Sequence, residues 1–200
     1  MTRTTAGELL PTRPDRLELG EGIRFTGGRL VLVDLLAGRL LTAPDDPAAP
    51  LETLLRLTFP LGAVAPVEGR PGHWIAAAGT GVCLLAPDGT TDWLARPEGD
   101  GMRMNDACAD PSGRFWAGSM GYDAEDGAGS LHRVDHDGTV HQVLDGITVP
   151  NGPAFTPTAA TCTSPTVRAG SSAVTRSTPR RARSAPPRCS SRWTTAAPTA

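Results

Sequence analysis

The sequence predicts an all-β chain built from a repeated unit, and three observations predict it. Apolar runs are short and end at Gly, Pro and Asp, as strands between tight turns do. No segment of 12 or more residues before position 158 carries a convincing helical period. A Gly-Arg pair ahead of an apolar strand recurs at nearly constant spacing. The composition agrees, with 23 Gly and 19 Pro in 200 residues but only 4% aromatics, so turns are many and bulky core groups few.

Taken in order, Arg29–Asp34 and Arg39–Thr42 flank an Ala-Gly turn. His73–Ala77 and Val82–Ala86 flank Gly79-Thr80-Gly81, and Thr91–Leu94 follows the turn Pro87-Asp88-Gly89. Arg114–Ser119, Ser130–Asp135 and Thr139–Leu144 repeat the pattern, with Asp137-Gly138 as the hairpin turn. The Gly-Arg pairs are Gly28-Arg29, Gly69-Arg70 and Gly113-Arg114. Aligning Val31, Trp74 and Trp116 behind them gives separations of 43 and 42 residues. A period of about 40–50 residues with about four strands per unit marks a β-propeller, because a single four-stranded blade must stack on its neighbours to bury its faces. An evenly spaced β-sandwich is the competing architecture. Three repeats make about the first three blades, and a closed ring needs roughly twice this chain.

Charge divides the chain. Residues 1–157 hold all 21 acids and 12 of the 19 Arg, and residues 158–200 hold seven Arg and no acid; there is no Lys. Such asymmetry can mark a nucleic-acid or membrane tail, but the basic residues are sparse and only Trp193 interleaves them. No nucleic-acid partner is therefore expected, nor a membrane one, since the apolar runs fall far short of the ~20 residues of a span. The first residues show no signal-peptide apolar stretch, and Cys83, Cys108, Cys162 and Cys189 form no C-x-x-C pair, so a cytoplasmic protein with incidental thiols is expected.

Three polar clusters stand at the ends of apolar strands, where propeller loops converge. Glu21 lies between Gly20 and Gly22 on what reads as a short turn. Arg103 and Asn105, two apart, share one strand face. Asn151 follows Pro150 and precedes Gly152 in a rigid turn. Other polar groupings carry less. Asp135-His136-Asp137-Gly138 lacks the later acids of a Ca²⁺ loop, the four His have no ligand pairing, Gly118-Ser119-Met120-Gly121 is not a nucleophile elbow, and Gly79-Thr80-Gly81 lacks the third Gly of a phosphate loop.

The run from Arg103 to Met120, RMNDACADPSGRFWAGSM, resembles the R-x-N-D-x-x-x-D-x-x-G-R-x-x-x-G-(T/S)-M signature of the regucalcin/gluconolactonase (senescence marker protein-like) family. Gly20-Glu21-Gly22 and Ile147 to Gly152 resemble that family's G-E-(G/S) and P-N-G segments, in family order. The resemblance covers residues 18–157. It implies a six-bladed β-propeller that hydrolyses a small-molecule sugar lactone with one divalent cation. Carried across, Glu21 and Asn151 are metal ligands, and Arg103 and Asn105 contact substrate. Asp123 falls where the family can carry a further substrate-contacting acid. Oxygen ligands suit Ca²⁺ first, with Mg²⁺, Mn²⁺ or Zn²⁺ as alternatives. The family's general base, an Asp in a later P-D-G segment, is absent from this frame, so no catalytic base is assigned. Loops meeting at one end of the axis are expected to bring Glu21, Asn105 and Asn151 into one cavity, with Arg103 at its rim.

Three regions follow: a lead-in (1–17), a partial lactonase-like propeller (18–157), and an irregular Thr/Ala/Ser/Pro/Arg tail (158–200) that cannot bury a core. The genetic code offers a reason for the tail. If one base is lost at the Pro157/Thr158 boundary, the original frame permits DGRHMYLADS under Thr158 to Val167, a fourth Gly-Arg repeat near its due position. It also permits VDDGSPDG under Trp193 to Ala200, containing the missing P-D-G. The tail is thus read as a frameshift product, in the gene or in the recorded sequence, and the chain as written is expected to be an impaired lactonase. The alternative class is a non-catalytic propeller that binds a small ligand or a protein partner.

Overall fold

The computed structural model describes residues 13–156 and, beyond them, the strands Cys162–Pro165 and Ser172–Thr175. Every regular element among the described residues is a strand. Blade one is β1 (Gly20–Thr26), β2 (Arg29–Asp34), β3 (Arg39–Ala43) and β4 (Glu52–Arg56), antiparallel and in that order. Blade two is β5 (Leu61–Pro66), β6 (Trp74–Ala78), β7 (Gly81–Leu85) and β8 (Thr91–Ala95). Blade three is β9 (Met102–Ala109), β10 (Phe115–Gly121), β11 (Gly129–Val134) and β12 (Val140–Ile147). A further antiparallel sheet joins β13 (Ala154–Phe155) to β14 (Cys162–Pro165) and β15 (Ser172–Thr175). These are three blades of a β-propeller with a further sheet following.

Two-residue periodicity explains the stacking. Every residue of β6 is buried, because successive side chains point to opposite faces and each face meets another blade. Trp74, Ala76 and Ala78 join Val31, Val33, Leu40 and Leu55 of blade one. Ile75 and Ala77 join Met104, Ala107, Phe115 and Ala117 of blade three. A third cluster on the far side of blade three holds Trp116, Leu131 and Ile147, with Phe155 of β13 against it. The first strand of each blade packs on the first strand of the next, β1 on β5 and β5 on β9. One backbone bond repeats at this step: Leu61 N–H donates to Leu35 O at 2.9 Å, and Met104 N–H donates to Gly79 O at 2.8 Å.

Val31, Trp74 and Trp116 all lie on the second strand of their blades, as the 42–43 residue spacing predicts. Their facing differs, however. Val31 and Trp74 meet each other's blades across one interface, whereas Trp116 faces β13. Trp74 is thus one place out of register, with Ile75 facing the following blade in its stead. Spacing finds the strand; side-chain facing is set by pairing, in which a one-residue shift exchanges faces.

The strands least visible in the sequence are the first of each blade. Each is irregular at one point: the ladder shifts between Glu21 and Arg24, between Leu61 and Ala63, and opposite Ala117 and Ser119. Glycines serve these places and weaken the strand signal. A Cβ on Gly62 would overlap the Asn105 carbonyl, so that glycine is required by the close approach of β5 to β9.

Two observations qualify the sequence reading. Glu21 belongs to β1 rather than to a turn. Strands β14 and β15 fall beyond position 157, where irregular chain is expected; the rest of 158–200, with the frame argument resting on it, lies outside the described residues. On blade one, the face turned away from blade two leaves Ile23 and Phe25 71% and 74% exposed, with Leu30 paired beside Phe25.

Candidate active site

Glu21 and Asn105 lie at ladder irregularities of β1 and β9, with Arg103 two residues before Asn105, whereas Asn151 precedes β13 and Asp123 follows β10. On β9, Asn105 and Asp106 together oppose the single residue Gly118 of β10, since Ala117 pairs Ala107 and Ser119 pairs Met104. Such a bulge twists a strand and re-aims its side chains. Arg103 Nη1 donates to Asn105 Oδ1 at 2.7 Å and to the Met104 carbonyl at 3.1 Å. Asn105 Nδ2 donates in turn to Pro150 O at 2.7 Å and approaches Asn151 Oδ1 at 3.5 Å. Three of the five sequence-predicted residues therefore form one hydrogen-bonded chain from blade three to the segment leading into β13.

Arg103 and Asn105 are equally buried, each 7% exposed. Arg103 thus lies within the structure rather than at a rim, because its partner across β10 is the buried Met120. Burial pulls its guanidinium below the usual arginine value, and the nearby Tyr122 and Glu21 oppose that pull. Glu21 is therefore close enough to act electrostatically on Arg103, although it sits exposed on β1. Asp123 is exposed in the turn after β10, and no hydrogen bond or ion pair among those described ties it to the other four.

Asp106 carries no role in the sequence reading, yet it is well engaged in the structure. Asp106 Oδ2 accepts from Gly152 N–H at 2.8 Å, Oδ1 accepts from Ala107 N–H at 2.8 Å, and Arg24 Nη2 lies 3.5 Å from Oδ1. The adjacent Asn105-Asp106 pair is the signal in the sequence; the bulge that lets both side chains reach the 150–152 segment is not visible there. The second half of the long signature is structural. Buried Asp110 accepts from the backbone N–H of Ser112 and Arg114, from Arg114 Nε at 2.7 Å and from Trp116 Nε1 at 3.1 Å. Gly113 turns the hairpin at φ +84°. Gly118 is needed for space, since a Cβ there would overlap the Pro150 ring.

Among the described residues no three His, Cys, Asp or Glu side chains cluster to hold a metal ion. The candidate donor set is instead one carboxylate and one amide oxygen. These fit a hard cation in kind. Two are fewer than the six to eight oxygens Ca²⁺ takes, so water, substrate or another carboxylate must complete a shell.

The family model described as the SMP-30/Gluconolactonase/LRE-like region matches residues 19–164. The chain is 36% identical over 132 residues to pentonolactonase XacC of Haloferax volcanii, covering 64% of this chain and 42% of that protein. It is 36% identical over 131 residues to the 6-deoxy-6-sulfogluconolactonase of Pseudomonas putida, covering 64% of this chain and 44% of that one. The chain thus spans less than half the length of these two relatives. Among solved structures, the regucalcin of Agrobacterium tumefaciens, described as a calcium-binding protein, superposes with a TM-score of 0.72 at 26% identity, over 84% of this chain and 60% of that one. With a family model matched over most of its length, this chain belongs to the SMP-30/gluconolactonase/LRE-like family.

Proposed function

We propose that this site belongs to a hydrolase for a sugar lactone or similar cyclic ester, assisted by one divalent cation held through Glu21 and Asn151. The observation that carries the reading is the hydrogen-bonded chain Arg103–Asn105–Asn151, whose first two members are buried in blade three. A scaffold has no need to bury a guanidinium beside two amides; a site that must receive developing negative charge does. The names of the two lactonase relatives and the calcium-binding description of the regucalcin neighbour support the substrate class and the cation, with Ca²⁺ as first choice.

A bound cation supplies polarisation of the ester carbonyl and a place for attacking water. The protein's own residues do the rest. Arg103, fixed by Asn105 and the Met104 carbonyl, presents a planar cation to the substrate hydroxyls and to charge gathering on the carbonyl oxygen. Asn105 holds Arg103 on one side and the Pro150–Asn151 backbone on the other, so the two elements keep one spacing. Asp123 extends from the turn after β10 as a contact for a distal hydroxyl. The base that removes the water proton is assigned to an aspartate encoded after position 157 in the shifted frame.

The test is lactone hydrolysis followed by pH-stat, with and without chelator, for the 200-residue polypeptide and for a version carrying one inserted base at codon 157. Chelator-sensitive turnover in the restored version, at least ~10² above the 200-residue polypeptide, is expected, because a general base contributes about 10²–10⁴. Ordinary enzymatic rates from the 200-residue polypeptide would overturn the frame assignment. Turnover indifferent to chelator would overturn the cation. Lactone binding without turnover in both would favour the non-catalytic propeller.

A further inference from the structure

We infer that Asp106 is a positioning residue that sets the spacing between the two candidate cation ligands, Glu21 and Asn151; this rests on the reading of the site given above. Adjacent residues on a regular strand point to opposite faces. At the β9 bulge, Asn105 and Asp106 instead reach the same segment and grip it on either side of Asn151. Asn105 Nδ2 donates to the carbonyl of residue 150, and Asp106 Oδ2 accepts the N–H of residue 152. Gly152, at φ +77°, supplies the left-handed turn by which that N–H reaches the carboxylate. Pro150 closes over Gly118, which leaves it room.

The second oxygen of Asp106 faces the opposite way. Oδ1 lies 3.5 Å from Arg24 Nη2, and the same Arg24 nitrogen donates to the Ala107 carbonyl. Arg24 follows Glu21 by three positions on β1, on the far side of the ladder irregularity that Glu21 borders. One carboxylate therefore joins the strand bearing Glu21 to the turn bearing Asn151, across 128 positions of sequence. The pair is partly exposed, 24% and 32% for the two side chains, so its Coulomb energy adds little to stability. Its consequence is geometric. Groups that orient metal ligands commonly change affinity about 10–100-fold when removed.

The experiment titrates the 200-residue polypeptide with Ca²⁺ and with Mn²⁺ by calorimetry, alongside Asp106→Ala, Asp106→Asn and Arg24→Gln. Asp106→Ala is expected to weaken cation binding about 10–100-fold. Asp106→Asn is expected to fall between, because its amide oxygen still accepts from residue 152 while the attraction for Arg24 is gone. Arg24→Gln combined with Asp106→Ala is expected to bind no more weakly than Asp106→Ala alone, since both break one joint. A purely structural role would lower the cation-free melting temperature and leave the affinity of the folded protein unchanged. If Asp106→Ala does not fold, Asp106→Asn decides. Affinity within twofold of the unaltered chain in the folded Asp106 variants overturns this inference and leaves the site reading standing. Failure of the unaltered chain to bind either cation overturns both.

Discussion

Asn105 donates its side-chain amide to the carbonyl of Pro150 at 2.7 Å, joining two residues 45 positions apart and fixing how blade three meets the segment that follows it. The same side chain accepts from Arg103, so its amide is used at both ends inside a buried environment. Asn105→Ala removes both bonds. Leaving a buried carbonyl unsatisfied costs about 1–3 kcal/mol, and a fall of that size in urea unfolding free energy is expected. Under the proposed function, lactone turnover by the version with one base inserted at codon 157 should fall as well. Unchanged stability would mean that water replaces the amide at Pro150.

Asp110 is the structural counterpart to that site residue. It is buried, and it closes the β9–β10 hairpin by accepting from two backbone amides, the Arg114 guanidinium and the Trp116 indole. Asp110→Ala leaves Arg114 without its counter-charge, and breaking such a pair on a buried partner costs about 3–5 kcal/mol, less here because Arg114 is 26% exposed. Chemical denaturation should show the loss. Cation affinity, measured where the variant remains folded, should not move, because Asp110 touches none of the candidate ligands.

Asp34 gives the fold an acid limit. Burial pushes its carboxyl up, but the Leu19 N–H at 3.0 Å and the Arg39 guanidinium outweigh burial and hold it below the ordinary value. A lowered folded-state value stabilises above the unfolded carboxylate value of about 3.9 and stops doing so as pH falls through the lower folded value. Asp34→Asn should therefore be less stable than the unaltered chain at pH 7, with the gap closing below about pH 4. Urea midpoints taken from pH 7 to pH 3 measure this, and a constant gap would refute it.

Cys83 should be inert in the folded protein. Burial between blades one and two, with the Asp92 charge adding to it, pushes its thiol up to about 12. The thiolate, which is the reactive form, is then scarce at any ordinary pH. Alkylation at pH 8 followed by peptide mass mapping should leave Cys83 unmodified until denaturant is added, while the partly exposed Cys108 reacts without it. Rapid labelling of Cys83 without denaturant would show that the interface between those blades opens readily.

Strand class, turn positions and blade spacing were legible in the sequence because each is local. Asp-Gly and Gly-Thr-Gly turns dictate where strands reverse, and β2 emerges with the bounds read from RLVLVD. The recurring Gly-Arg pair marks the second strand of each blade regardless of what surrounds it. The candidate residues Glu21, Arg103, Asn105 and Asn151 were also nameable, through their resemblance to a family pattern. What only the tertiary structure decided was orientation. Trp74 faces blade one while Trp116 faces β13, Arg103 turns inward to Asn105, and Asp106 grips residue 152 while Arg24 reaches it from blade one. These depend on bulges and on contacts between residues tens to more than a hundred positions apart, and a pattern that reads neighbours two or four places away carries no information about either.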